Sequence, residues 1–292
     1  MRRVLVLFLL TAMVSVAGAG IRVVTTLPDI ADLVRQVGAD RVTVDNIVRG
    51  DQNPHFVEVK PSYMIKLKSA DLFFMIGMEL ELWAPQIIDG SRNASLKVVD
   101  LSQNISKLEV PSKVDASQGD VHRLGNPHYW LNPHNVRIMV RDIVAALAVE
   151  SPADEALFRA NGEAFLRRLE ASTREWEQTM RPLAGSKIIT FHSSWTYFAQ
   201  WLGITVAGLV EPKPGIQPTP GHTAGLLNLV RSSGIKVIVV EPFYDPSAAE
   251  QIARATGARV IRLATSSGGV DEAKNYISLM EYNVRTLADG LR

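Results

Sequence analysis

The feature that most restricts the fold is a long helical stripe in the middle of the chain. Across residues 152–180, Phe158, Phe165, Leu169, Trp176 and Met180 recur at steps of seven, four, seven and four, with charged residues opposite. That spacing puts the apolar side chains on one face of a single helix. Ser151-Pro152 opens the helix and Arg181-Pro182 ends it. At ~1.5 Å per residue, a helix of this length reaches roughly 40 Å, enough to run along a whole domain or to bridge two. The aromatic stripe is read as packing surface.

On both sides of this helix the chain keeps one rhythm. Ile21-Arg22-Val23-Val24-Thr25-Thr26 is rich in β-formers. Residues 29–37 carry Ile30, Leu33 and Val34 at helical spacing before Gly38, and residues 41–48 alternate as a strand. Strand, helix and strand in succession make a parallel βαβ unit. Further strands are expected at 71–77 and 97–101, and in the second half at 187–191, 204–209, 236–240 and 259–263, with helices between them. The expected fold is α/β: two Rossmann-like lobes with parallel sheets, joined by a long rigid linking helix. The expected boundaries are 20–150 for the first lobe, 151–182 for the linking helix and 183–292 for the second lobe.

Met1-Arg2-Arg3, an apolar run over residues 4–16 and Ala17-Gly18-Ala19 have the form of a cleaved signal peptide, residues 1–19. Export to a periplasm-like space is expected. The 292 residues include no cysteine, so thiolate ligands, disulfides, a Cys nucleophile and a lipoprotein anchor residue are all absent. Any metal must be held by His, carboxylate or water. With 31 basic and 30 acidic residues there is no electrostatic case for nucleic acid as a partner.

In open parallel sheets, ligands sit beyond the C-terminal ends of the strands. Four residues fall in such places. His55 follows the strand at 41–48, His128 lies on the turn Asn126-Pro127-His128-Tyr129-Trp130 before a helix, His192 directly follows 187–191, and Glu241 directly follows 236–240. The two prolines and two asparagines around His128 mark a stiff turn, which suits a ligand that must be in place before the ion arrives. Three imidazoles suit Zn²⁺, and Mn²⁺ prefers more oxygen. Glu241 is open to three readings: a fourth ligand, an acceptor that fixes a histidine's tautomer, or a carboxylate in a salt bridge or at a helix start. Asp271 is a weaker oxygen candidate. His134 is read as a helix-start capping residue, His222 as a surface residue, and His122 as part of the polar loop with Asp115 and Asp120. The motifs of the zinc peptidases, the nucleophile elbow and the P-loop are absent.

Taken in order, these motifs resemble the metal-binding receptors of zinc and manganese ABC importers, the ZnuA/TroA-like cluster A-I solute-binding proteins. The resemblance rests on Val23-Val24-Thr25-Thr26, Asn53-Pro54-His55-Phe56-Val57-Glu58, Asn126-Pro127-His128-Tyr129-Trp130-Leu131-Asn132-Pro133, Thr190-Phe191-His192-Ser193-Ser194-Trp195 and Glu241-Pro242. It implies one metal between the lobes, with His55, His128 and His192 as ligands. A His at the third position resembles the zinc branch. It also implies delivery of the ion to an ABC permease by a monomeric receptor. Many members add an Asp from the loop matching residues 263–269, where this chain has none, so water, Glu241 or Asp271 is left for the fourth position. A secreted zinc hydrolase with three His ligands and a bound water is the alternative.

Overall fold

The computed structural model describes residues 20–112, 122–213 and 215–292. Residues 1–19, Asp115 and Asp120 lie outside them. The first half runs β1 (Ile21–Thr25), α1 (Pro28–Gly38), β2 (Val42–Asn46), α2 (Pro61–Lys68), β3 (Leu72–Met75), α3 (Ala84–Ser91) and β4 (Lys97–Asp100). Next come α4 (Pro133–Glu150) and α5 (Glu155–Met180). The second half runs β5 (Lys187–Thr190), α6 (Thr196–Leu202), β6 (Thr205–Leu209), α7 (Pro220–Ser233), β7 (Val237–Val240), α8 (Ser247–Thr256), β8 (Arg259–Arg262) and α9 (Tyr276–Leu291).

The strands form two four-stranded sheets, ordered β2-β1-β3-β4 and β6-β5-β7-β8, with every pairing parallel. The two halves thus repeat one topology. In each, the first strand lies between the second and the third, so the strand order reverses beside it and opens a crevice at its C-terminal end. Buried strands carry continuous apolar runs, Val-Ile-Val-Val in β7 and Leu-Phe-Phe-Met in β3, as a sheet covered on both faces requires.

α5 is the expected linking helix, 26 residues long and flanked by single 3-10 turns. All five stripe residues are buried. They face α1 and α4 from the first half and α9 from the second. Gly162 permits close contact with α4, because a Cβ there would meet Val144 Cγ2 at 2.8 Å. On the other side, Trp176 Nε1 donates to Glu281 Oε2 of α9 at 2.6 Å. The helix therefore belongs to both lobes. The largest apolar cluster runs through both, with a second one under the second sheet.

The seam between the lobes is also polar. Ser267 donates its N–H (3.0 Å) and Oγ–H (2.7 Å) to Asp29 Oδ1. Trp130 Nε1 donates to Thr265 O at 2.8 Å, and the Tyr276 N–H donates to Asp32 Oδ2 at 3.0 Å. Gly50 lies so close to the second lobe that a Cβ would meet Ser267 O at 2.1 Å. The loop over residues 265–269, rich in Ser, Thr and Gly, is buried at Thr265, Ser266 and Ser267. Its hydroxyl and amide groups serve a buried carboxylate instead of water. Burial pushes the Asp29 carboxyl up to about 6, against the lowering effect of the Ser267 hydrogen bonds. Among the described residues no helix is long and apolar enough to cross a membrane.

Candidate metal centre

His55 and His128 reach the site through the same local device. Each belongs to an Asn-Pro-His tripeptide. The Asn53 side-chain oxygen accepts the His55 N–H at 3.0 Å, and the Asn126 oxygen accepts the His128 N–H at 3.0 Å. An Asn side chain that takes the N–H two residues on mimics a backbone turn, and the intervening Pro stiffens it. Asn132-Pro133-His134 repeats the tripeptide, with the His134 N–H on Asn132 Oδ1 at 2.9 Å. There the turn opens α4, Asn132 is the helix cap, and His134 is turned outward, 3.3 Å from Glu177. Capping, expected of His134, belongs to Asn132.

His192 comes from the second lobe, just beyond β5. The three imidazoles converge. One ligand atom from each of His55, His128 and His192 lies within 4.8 Å of the others, and all three residues are buried. Ring centroids are 5.1, 5.2 and 5.5 Å apart, close to an equilateral triangle. His55 Nε2 and His128 Nε2 approach to 3.1 Å. Two nitrogens on one zinc at ~2.0–2.1 Å in tetrahedral geometry would be about 3.3 Å apart.

The protonation states favour a cation. Burial first, then the neighbouring histidines, hold the His55 and His128 pKa values well below the usual imidazole range, so both rings are neutral. The His128 tautomer is set by its neighbour. Asn126 Nδ2 donates to Glu109 Oε2 (2.8 Å), Ser193 O (2.8 Å) and Thr196 Oγ1 (3.2 Å). The Asn126 oxygen must therefore face His128, where it accepts from Nδ1 at 2.9 Å. That leaves Nε2 with its lone pair toward the cluster.

Glu241 lies outside the group of mutually close donor atoms. It is fully buried, and its Oε1 accepts from Ser194 Oγ (2.8 Å) and Trp195 Nε1 (3.0 Å). Asp271 is exposed. His122 is half-buried, with its ring stacked on His55 at 5.0 Å, outside the same group. His222, expected at the surface, is half-buried, with Nε2 2.9 Å from Leu209 O. Trp130 is buried against His128, with ring centroids 5.4 Å apart. One residue of the site escaped the sequence reading. Glu211 Oε2 lies 2.7 Å from His192 Nδ1. A signal for it existed: Val210-Glu211-Pro212 repeats Val240-Glu241-Pro242, and both follow strands.

Burial pushes the Glu241 carboxyl up to about 7, despite its hydrogen bonds and the nearby His192. A folded-state pKa above the unfolded one means that the folded protein binds the extra proton, so stability falls as pH rises from about 4.5 to about 7. Glu241→Gln is expected to abolish this share, since the amide can keep the Oε1 acceptor. Relative to the parent, the variant should gain about 2–3 kcal/mol between pH 5 and pH 8 in urea unfolding of chelator-treated protein. A constant difference across that range would mean that Glu241 is charged throughout.

The model of a family described as ZnuA, zinc-uptake complex component A, periplasmic, matches residues 23–290. The chain belongs to that family. Its members and relatives are substrate-binding proteins of ABC transporters, not enzymes, which removes the hydrolase alternative. The curated relatives include the manganese-binding lipoprotein MntA of Halalkalibacterium halodurans, 26% identical over 94% of this chain and 89% of its own. They also include the zinc-binding lipoprotein AdcA of Streptococcus pneumoniae, 23% identical over 93% of this chain and 56% of its own. Among solved structures, a ZnuA crystal structure superposes with a TM-score of 0.82 at 25% identity, covering 94% of this chain and all of that one. A zinc-bound ZnuA deletion mutant gives 0.81 at 26% identity, covering 93% and 98%. The family thus spans zinc and manganese carriers. Both curated relatives named here are lipoproteins, whereas this sequence contains no cysteine.

Proposed function

We propose that the protein is a periplasmic receptor that captures Zn²⁺ between its lobes, on His55, His128 and His192, and delivers it to an ABC permease. The observation that carries this reading is the group of three buried imidazoles with ligand atoms within 4.8 Å of one another. Zinc is favoured over manganese because the group contains nitrogen donors and no carboxylate, and Mn²⁺ favours oxygen. A water completes the tetrahedron in this reading. Glu241 lies outside the group of mutually close ligand atoms, and Asp271 is exposed to solvent. In this reading the receptor is free in the periplasm and works as a monomer.

Calorimetric titration of chelator-treated protein is expected to give one saturable zinc site and weaker binding of manganese. His192→Ala should remove the site and His222→Ala should leave it. No saturable zinc binding, or equal losses from the two variants, would overturn the assignment. The depressed pKa values add a sign. Ligand imidazoles bind metal only when neutral, and His55 and His128 are already neutral below the usual histidine range. Titrations at pH 6 in buffers of different ionisation enthalpy should therefore find at most about one proton released per zinc from the imidazoles.

A further inference from the structure

We propose that Glu211 is the positioning residue that presents His192 Nε2 to the metal, and that it works only as a carboxylate with two acceptor oxygens. The proposal rests on the zinc reading above and adds to it the residue that sets the donor state of the third ligand.

Sheet register puts His192 between two carboxylates. Thr190 of β5 pairs with Leu209 of β6 on one side and with Val239 of β7 on the other. The ladder continues past the strands, with Val210 N–H on Thr190 O (2.9 Å), Glu211 N–H on Phe191 O (3.0 Å) and Phe191 N–H on Val239 O (2.8 Å). Two residues on, His192 therefore stands opposite Glu211 on one neighbour and Glu241 on the other. Side chains two apart share a face of a strand, so both carboxylates arrive on the His192 side. They divide the work. Glu241 holds the turn after His192, through Ser194 Oγ and Trp195 Nε1. Glu211 holds the ring itself.

Both Glu211 oxygens are engaged. Oε2 lies 2.7 Å from His192 Nδ1, and Oε1 accepts the Gly215 N–H at 2.6 Å. The His192 and Glu211 side chains are 4% and 8% exposed, so water does not substitute for either. His192 Nε2 is buried and has no hydrogen-bond partner among the described residues. A carboxylate can only accept from Nδ1, so the ring proton sits on Nδ1 and the Nε2 lone pair is left for the cluster. Hydrogen-bonded partners behind a ligand histidine fix its tautomer and raise its basicity.

Glutamine cannot do this. It has one acceptor oxygen for two donors, the Gly215 N–H and the His192 Nδ1–H. If its oxygen stays on Gly215, its NH₂ group faces Nδ1, which must then accept, and the ring proton moves to Nε2 and blocks the metal. If its oxygen turns to His192, NH₂ meets the Gly215 N–H. Asn126 serves His128 with a single oxygen because its NH₂ has acceptors of its own.

The test reads the tautomer first, without metal. Long-range ¹H–¹⁵N correlation spectra of chelator-treated, histidine-labelled protein should show His192 protonated at Nδ1 in the parent and at Nε2 in Glu211→Gln. Zinc affinity of the Gln variant, from competition with a chromogenic chelator, should fall about 10–100-fold. Glu211→Asp, which keeps two oxygens, should retain the Nδ1–H form and bind zinc more tightly than the Gln variant. A Gln variant with the Nδ1–H form and parental affinity would overturn the proposal. Should the Gln variant not fold, Glu211→Ala removes the donor–donor conflict, and parental zinc affinity in that variant would overturn it equally. A parent that binds no zinc yet shows the tautomer switch would refute the zinc reading and leave the role of Glu211 in setting the ring standing.

Discussion

Replacing His128 with alanine is expected to weaken zinc binding by about 100- to 1000-fold while leaving the fold in place. Zinc bound by four protein ligands contributes about 10–16 kcal/mol at neutral pH, or about 2.5–4 kcal/mol per ligand. Each 1.4 kcal/mol is tenfold in affinity. His128 cannot be replaced by a neighbour. His134, six residues on, is turned away at the start of α4, and His122 is stacked on His55 outside the group. The substitution also leaves the Asn126 oxygen without the Nδ1 donor, although it keeps the backbone N–H of residue 128. Chelator competition gives the affinity, and circular dichroism checks the fold. A loss of less than about tenfold would remove His128 from the ligand set.

The second large effect is on stability. Trp130→Ala is expected to cost about 3–5 kcal/mol, the usual range for truncating a fully buried aromatic residue. Trp130 is completely buried, and it ties the lobes together in two ways. Its Nε1 donates to Thr265 O at 2.8 Å, and its own carbonyl accepts from Tyr276 Oη at 2.7 Å. Alanine leaves a cavity behind His128 and a buried Thr265 carbonyl without its donor. For a chain of this size each kcal/mol is about 2–4 °C in Tm, so thermal unfolding should begin roughly 6–20 °C lower. Trp130→Phe keeps most of the volume and loses only the N–H, and should lie between the two. A drop of less than about 1 kcal/mol for the alanine variant would mean that the seam does not depend on Trp130.

Much of this was legible in the chain because the informative signals are local. The linking helix announced itself because a period near 3.6 survives whatever the helix packs on, and Phe158, Phe165, Leu169, Trp176 and Met180 are all buried as the stripe required. The positions of the strands followed for the same reason, since short β-branched runs closed by Gly or Pro need no partner to be recognised. The Asn-Pro-His turns were visible too, because the Asn oxygen and the His N–H that it accepts are only two residues apart.

Other features were not legible from local pattern. Three tripeptides read Asn-Pro-His, yet only two supply the cluster, because the third is taken up by the start of α4. Residues 265–269 have the composition of a mobile loop, and only the buried carboxylate of Asp29, in the other lobe, gives their hydroxyls a fixed task.

The sequence by itself determined two parallel α/β lobes on one long helix, a chain without thiols, and a short list of strand-end histidines and carboxylates. Only the tertiary structure decided which of these meet. His55 and His128 belong to one lobe and His192 to the other, so their convergence depends on how the lobes are set against α5 and the seam. The same holds for the two Val-Glu-Pro segments, which are indistinguishable in one dimension. Strand order places β6 and β7 on opposite sides of β5, and side-chain geometry then gives Glu211 the His192 ring and Glu241 the turn behind it. Hydrogen-bond partners some 20 to 50 residues apart are chosen by register and packing, and no local pattern records them.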